Sequence, residues 1–339
     1  MRRLAPNTLF LLLGGLFPIS LLCGLMLGPQ IILPFDLLAG DAAVVSERLI
    51  IEQIRLPRTL MAAIVGAALA VSGVMMQGLF RNPLADPSLI GVSSGASAGA
   101  SFVIVLGAGW LGSHDLLGVS AVALGAFVGA GLATYTVYRL AAHGRGTSVV
   151  TMLLAGIAIS ALAGALNSFF SFIADNHMLR QISLWQMGSL SGVTWSRLGF
   201  AAVVFGSLLA CFPRFSGALN ALLLGESEAR HLGVDVNRLK IQLITLVALV
   251  VGTAVALTGT IAFVGLVTPH IIRLLIGPNH RSLIPASMLA GAILLMLADA
   301  LSRYLLAPAE LPIGVVTALL GAPFFLSLLH QQRKNQGVA

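Results

Sequence analysis

Apolar residues occur in ten long runs along this chain, separated by short polar gaps. A helix needs about 20 predominantly apolar residues to cross the hydrocarbon core of a bilayer. Each run reaches or approaches that length, so the pattern predicts about ten transmembrane helices. The predicted ranges are 8–33, 57–80, 91–110, 117–140, 148–172, 195–213, 239–260, 262–277, 283–306 and 311–330.

The first run resembles a signal peptide, because Arg2 and Arg3 precede it. It is longer than the apolar core of a signal peptide, however, and no small-residue cleavage site follows it. We therefore interpret it as an uncleaved first membrane helix.

Charged residues are scarce and unevenly placed. The chain is 58% hydrophobic and 9% charged, whereas a soluble domain is about 25% charged. If the N-terminus is cytoplasmic and the ten helices alternate, 13 of the 19 Lys and Arg residues fall in inner segments. Inner loops of membrane proteins carry this excess. The asymmetry predicts two cytoplasmic termini, and it explains the net charge of +7 without nucleic-acid binding.

Several kinds of chemistry have no candidate residues here. The chain lacks a glycine-rich loop ending in Gly-Lys-Ser/Thr, so nothing predicts a nucleotide site. Cys23 and Cys211 are isolated and the seven histidines are scattered, so no metal site is predicted. Asp299 and Arg273 are the charges nearest the membrane interior, too few for an obvious ion relay. We expect no enzymatic activity, no stably bound cofactor, and an energy source outside this chain.

Residues 91–95, GVSSG, match the Gly-x-Ser-x-Gly pattern of a nucleophile elbow. That motif requires a strand-to-helix turn, whereas this one opens an apolar run. Gly91, Gly95 and Gly99 also follow a four-residue spacing that is typical of close helix packing in membranes. We favour packing, and an intramembrane serine protease with Ser93 or Ser94 as nucleophile stays a formal alternative.

Two segments between the apolar runs have a pattern of their own. The outer segment 173–194 predicts a short interfacial helix at 185–190, anchored by Trp185. The inner segment 214–238 mixes apolar and charged residues. It predicts two short helices that are broken at Gly225 and stopped at Gly233.

The chain also contains an internal echo. Residues 66–73, GAALAVSG, resemble 252–259, GTAVALTG, and a Gly-Leu pair and a proline follow each. In the predicted topology the two helices run in opposite directions, which is typical of inverted repeats in transporters. The echo predicts repeat halves at about 57–172 and 239–330 within one membrane domain that spans 1–339.

Three stretches carry a resemblance to a known family. The region 55–97 contains RLPR at 55–58, MQGLFRNPLADP at 76–87 and GVSSGA at 91–96. The other two are GLVTPHIIR at 265–273 and ELPIGVVTALLGAP at 310–323. These stretches closely resemble the iron-chelate, haem and cobalamin (FecCD-type) permeases of ABC importers. The resemblance implies an all-α membrane protein with the inverted-repeat fold of a type II ABC importer permease.

The resemblance also assigns roles to residues. Arg55, Arg58 and Arg303 match outer arginines that pair with glutamates of a periplasmic substrate-binding protein; simple helix-end snorkelling is the alternative. Segment 214–238 matches the helices that couple to the ATPase. The residues implied there are Gly225, Glu226, Glu228, Ala229, Arg230 and Gly233. The residues implied in the cytoplasmic gate and pathway are Asn82, Leu84, Thr147 and Ser148.

The partners and the cargo follow from the same resemblance. It implies a second permease subunit, expected to be another copy of this chain, two ATPase subunits on the cytoplasmic side and a periplasmic binding protein, all assembled in the inner-membrane bilayer. The stretches 82–94 and 184–190 look most like haem permeases, which favours haem over ferric siderophore and cobalamin. An ion-coupled secondary transporter is the alternative from another class.

Overall fold

A computed structural model describes residues 3–33, 42–107, 120–143 and 146–336. These residues form fourteen α-helices, with one two-residue hairpin between β1 (Ala142–His143) and β2 (Gly146–Thr147). The helices are α1 (Pro6–Met26), α2 (Ala42–Leu49), α3 (Leu56–Leu79), α4 (Val92–Leu106), α5 (Ala121–Ala141), α6 (Val149–Ile173), α7 (Asn176–Gln186), α8 (Trp195–Leu209), α9 (Ser216–Leu222), α10 (Glu226–His231), α11 (Val236–Thr258), α12 (Val264–Ile276), α13 (His280–Tyr304) and α14 (Ile313–Gln336). A π-helical stretch, Ile50–Arg55, joins α2 to α3, and 3₁₀ turns cover Pro87–Ile90 and Phe212–Phe215.

Every predicted apolar run coincides with a helix in the described part of the chain. Within the described residues, seven helical segments are long and apolar enough to cross a membrane, and this supports a multi-pass membrane protein. The other three runs form the apolar helices α4 (Val92–Leu106) and α12 (Val264–Ile276) and the apolar stretch Ile313–Ser327, which is the first part of α14. At 1.5 Å per residue, the 15 residues of α4 span only about 22 Å, less than the roughly 30 Å of hydrocarbon. The count of ten crossings therefore stays a prediction.

Helices α3 and α13 form the centre of the molecule. In the most apolar window of each segment, 83% of residues are buried in Val45–Leu79 and 67% in α13, but only 22% in α1 and α6. Side chains of α3 are buried on all sides because α13, α12, α11 and α8 surround it. The resemblance singles out residues at both ends of α3 and, on α13, Arg303 near its C-terminal end.

The glycines at 95 and 99 lie in a close helix crossing. A Cβ on Gly95 would lie 2.4 Å from the carbonyl oxygen of Gly129, and one on Gly99 would lie 2.1 Å from that of Gly125. The segment before α4 is a 3₁₀ turn rather than a strand. These contacts confirm the packing interpretation of the Gly-x-Ser-x-Gly match, and the strand that a nucleophile elbow requires is absent from this described segment.

The two segments between the apolar runs were predicted with unequal accuracy. The outer segment does contain a helix, but the predicted position at 185–190 is wrong, because α7 ends at Gln186. Asp175 starts α7 early by accepting a hydrogen bond from the Met178 amide at 2.7 Å, and Gly188 turns the chain away at φ 73°. The inner segment forms α9 and α10 as predicted. Gly225 separates them at φ 125°, in a region that disfavours side chains.

The internal echo falls on two different local structures. Residues 66–73 lie inside α3, which continues to Leu79, whereas 252–259 end α11 at Gly259. The repeat halves at 57–172 and 239–330 stay a prediction.

Candidate functional site

Arg58 lies near the start of α3, at the predicted outer end of the bundle, and is bound by two carboxylates of its own chain. Its Nε lies 2.8 Å from Oδ1 of Asp299 on α13, and its Nη1 lies 2.9 Å from Oε2 of Glu310 in the loop before α14. Arg58 is 5% exposed and Asp299 is fully buried. A buried guanidinium needs such partners, because an uncompensated charge in a low-dielectric interior is costly.

Arg303 and Arg55 are buried beside this pair. Arg303 lies one turn after Asp299 on α13, with its Nη2 3.1 Å from Oδ2 of Asp299. The same Nη2 donates to the carbonyl of Gly24 at 2.8 Å. Arg55 donates from Nη1 to the carbonyls of Leu25 and Met26, and from Nη2 to that of Gln30. We call Arg55, Arg58, Asp299, Arg303 and Glu310 the outer arginine cluster.

The structure thus brings together the three arginines that the resemblance assigns to docking, but it turns them inward. They are 3–5% exposed, and each one binds groups of the same chain. Their role in docking stays a prediction. The two carboxylates, Asp299 and Glu310, carried no predicted role. A signal for Asp299 exists, because intramembrane charges pair with one another and Arg303 follows it at the i,i+4 spacing.

The predicted gate residues lie in two segments next to helix ends. Asn82 and Leu84 are in the turn after α3, where the Asn82 side chain accepts a hydrogen bond from the Leu84 amide at 3.0 Å. Thr147 lies in β2, opposite Ala142, and Ser148 caps α6 by accepting from the Thr151 amide. A gate that combines both segments stays a prediction.

Helix α12 packs beside the segment that contains the Asn82 turn. Gln77, on the last turn of α3, donates from Nε2 to the carbonyl of Leu266 at 3.1 Å. A Cβ on Gly265 of α12 would lie 3.4 Å from Cδ of Pro87. Two of the three stretches that carry the family resemblance therefore meet around this turn. Within it, burial raises the pKa of the Asp86 carboxyl, and hydrogen bonds with Ser88 oppose that rise.

On its α10 side, the predicted coupling segment forms an ion pair with a buried lysine of α11. Glu226 lies 2.7 Å from Nζ of Lys240, a residue of α11 whose side chain is 3% exposed. Arg230 approaches the same carboxylate only to 3.8 Å and is largely exposed. Ala229 is fully buried beneath α10, while Glu228 and Gly233 are exposed.

The coupling segment also exposes apolar side chains. Leu224 and Leu232 are 68% and 63% exposed. Exposed apolar patches with polar surroundings are typical of protein-protein contacts, and docking of an ATPase on this segment stays a prediction.

Comparisons with known proteins identify the family of the chain. Residues 16–331 match the model of the FecCD transport family. The chain is 47% identical over 285 residues to the hemin transport system permease protein HmuU of Yersinia pestis, which covers 84% of each chain. It is 43% identical over 287 residues to the cobalamin import system permease protein BtuC of Halobacterium salinarum (84% of this chain and 74% of that one). It is 42% identical over 323 residues to the vitamin B12 import system permease protein BtuC of Citrobacter koseri (95% and 94%).

Solved structures extend the comparison to the fold. An inward-facing conformation of a metal-chelate type ABC transporter is 35% identical, with a TM-score of 0.83 over 96% of this chain and all of the other. The PsaBC complex of Streptococcus pneumoniae shares the fold at 22% identity, with a TM-score of 0.56 over 80% of this chain and 89% of that chain. The family match over most of the chain, together with these relatives, shows that the protein belongs to the FecCD transport family and is an ABC importer permease.

Proposed function

We propose that this permease moves haem across the inner membrane. The observation that carries the proposal is the 47% identity to a hemin transport permease, together with the haem-like stretches at 82–94 and 184–190. Cobalamin is the second candidate, because relatives named for it are 42–44% identical over up to 96% of the chain. Ferric siderophore is the third, as the family resemblance includes iron chelates.

The proposed complex contains two copies of this chain, two ATPase subunits and a periplasmic binding protein. Both chain termini lie in the cytoplasm, and the ten helices cross the membrane as the charge asymmetry predicts. The ATPase subunits hydrolyse ATP, and this chain carries out no covalent chemistry. Closure of the ATPase pair moves the coupling segment, 214–238, as a rigid body. That movement opens or closes the path at Asn82, Leu84, Thr147 and Ser148.

The outer arginine cluster supports docking in a modified form. Because Arg55, Arg58 and Arg303 are already bound within the chain, the binding protein has to share or replace an internal partner. Glu310 is the partner that it can replace, since its side chain is 38% exposed.

ATP hydrolysis by the reconstituted complex tests the cargo. The complex is assembled in nanodiscs with its binding protein, and haem, a ferric siderophore and cobalamin are each added in turn. We expect haem to stimulate hydrolysis several-fold over the binding protein alone. Stimulation by another cargo alone overturns the haem assignment. Uptake into vesicles that persists without the ATPase and collapses with an uncoupler favours an ion-coupled transporter and overturns the whole mechanism.

A further inference from the structure

A side chain of the coupling segment caps the N-terminus of α13. Asn220, on α9, accepts a hydrogen bond at its Oδ1 from the backbone amide of His280 at 2.8 Å. The first amides of a helix have no partner within the helix, so this bond satisfies one of them from another element. The Nδ2 of Asn220 donates to Oδ1 of Asn279 at 2.9 Å, and Asn279 in turn caps the Arg281 amide.

The imidazole of His280 completes this contact. Its Nδ1 lies 2.9 Å from the same Oδ1 of Asn220. An amide oxygen has no hydrogen to donate, so Nδ1 must donate to it, and the neutral ring carries its proton on Nδ1. His280 is fully buried. We call Asn220, Asn279 and His280 the α9–α13 clasp.

The clasp also touches the end of α3. A Cβ on Gly78 would lie 2.7 Å from Nε2 of His280 and 3.0 Å from Cδ2 of Leu219 on α9. A side chain at position 78 would have to displace the His280 ring or Leu219, so the glycine lets the three helices meet this closely. Asn82 follows Gly78 by one turn, and the backbone amide of Asn82 donates to the carbonyl of Gln77 at 3.1 Å. The clasp therefore lies next to the turn that holds the proposed gate.

We infer that the α9–α13 clasp transmits displacement of the coupling segment to α13 and α3, and so to the Asn82 turn; this inference rests on the proposed function. Two properties of the clasp carry it. First, its hydrogen bonds are directional and link a surface element to the helices of the core, so they fix orientation as well as distance. Second, α10 is held by a different contact, the Glu226–Lys240 pair to α11. Loss of the clasp therefore removes the hydrogen-bonded link between α9 and α13, while α9 keeps its buried leucines and α10 keeps its own anchor.

Labelling of a gate cysteine tests this inference without reference to the cargo. Leu84→Cys is introduced in a background in which Cys23 and Cys211 are replaced by serine. Its rate of reaction with a maleimide is measured in the complex with the ATPase subunits, with and without ATP and vanadate. We expect the rate to change at least fivefold in this background. With Asn220→Ala added, we expect less than a twofold change, while vanadate still traps the nucleotide.

Two further variants keep the result interpretable. Asn220→Asp retains the oxygen that His280 binds and loses the donor to Asn279, so we expect an intermediate change even if Asn220→Ala assembles poorly. Gln242→Ala removes an exposed amide from α11 outside the coupling segment, and it should leave the labelling change intact.

The outcomes distinguish a transmitting role of the clasp from a purely structural one. A full labelling change in Asn220→Ala or Asn220→Asp overturns the inference. A parallel fall in nucleotide trapping, complex assembly and labelling in both variants shows a purely structural role and also overturns it. If ATP changes labelling in no background, including the one with the intact clasp, the proposed gate itself fails.

Discussion

The outer arginine cluster and the coupling segment are both charged, but they differ in where their charges lie. In the cluster, three arginines and Asp299 are almost completely buried, and the arginines bind carboxylates and carbonyls of their own chain. In the coupling segment, Arg230 and Glu228 are exposed, and Lys240 anchors the segment through Glu226. The outer charges are therefore committed to internal contacts, whereas most inner charges are available to a partner.

This difference bears on how each surface can meet a partner. A partner of the coupling segment can bind charges and leucines that already face outward. A partner of the outer arginine cluster has to compete with Asp299, Glu310 and the carbonyls that end α1. We therefore expect substitutions in the outer arginine cluster to affect mainly the stability of the permease. Substitutions in the coupling segment should affect mainly its interaction with the ATPase subunits.

The largest expected effect comes from Asp299→Ala. The variant leaves Arg58 and Arg303 buried without their shared carboxylate, and removing one partner of a buried pair costs about 3–5 kcal/mol. We expect a marked fall in the transition temperature of the detergent-solubilised permease. Glu228→Ala is the control, since an exposed substitution usually changes stability by less than about 0.5 kcal/mol. Equal transition temperatures for the two variants would contradict the assignment of the cluster as buried and internally paired.

A smaller effect is expected at the anchor of the coupling segment. Glu226→Ala removes the carboxylate from the buried Lys240, and losing a hydrogen bond to a buried charged group costs about 1–3 kcal/mol. Arg230→Ala removes only the exposed partner at 3.8 Å, which contributes about 0–1 kcal/mol. Cleavage of the intact permease by chymotrypsin measures the difference, because neither change alters a chymotrypsin site. Faster cleavage near 222–232 in Arg230→Ala than in Glu226→Ala would mean that Lys240 is not the anchor.

Much of the fold could be predicted from the sequence because membrane helices obey a simple length rule. Each predicted apolar run coincides with a helix in the described part of the chain. Helix α10 lies between Gly225 and Gly233, as the sequence predicts. The outer helix was misplaced because Trp185 is a cue for membrane depth and carries no information on where a helix starts. The N-cap Asp175 contained that information. The helix Ala42–Leu49 ahead of α3 went unpredicted because its polar residues interrupt the apolar pattern.

The site was harder to predict than the fold. The family motifs placed Arg55, Arg58 and Arg303 in one region, but whether a guanidinium points outward or inward depends on partners far along the chain. Asp299 is 241 residues from Arg58 and Glu310 is 252. The same limit applies to the clasp, since Asn220 and His280 are 60 residues apart. Neither residue belongs to a pattern that marks it as a contact.

The smallest change in stability, and the sharpest test of docking, is expected for Glu310→Gln. Glu310 is 38% exposed, and Arg58 keeps Asp299 as a partner, so the substitution should cost about 0–1 kcal/mol. If Arg58 binds a carboxylate of the binding protein, Glu310 competes with that carboxylate, and its neutralisation should tighten binding several-fold. Surface plasmon resonance of the binding protein over nanodisc-embedded permease measures this, with the exposed pair member Glu52 substituted as Glu52→Gln for comparison. Because Glu52 pairs with Arg48 rather than with the cluster, a general loss of negative charge at the outer face would raise the affinity of both variants equally. An increase in affinity confined to Glu310→Gln would identify Arg58 as a docking residue that Glu310 occupies until the binding protein arrives. Unchanged affinity would mean that the outer arginine cluster has a purely structural role.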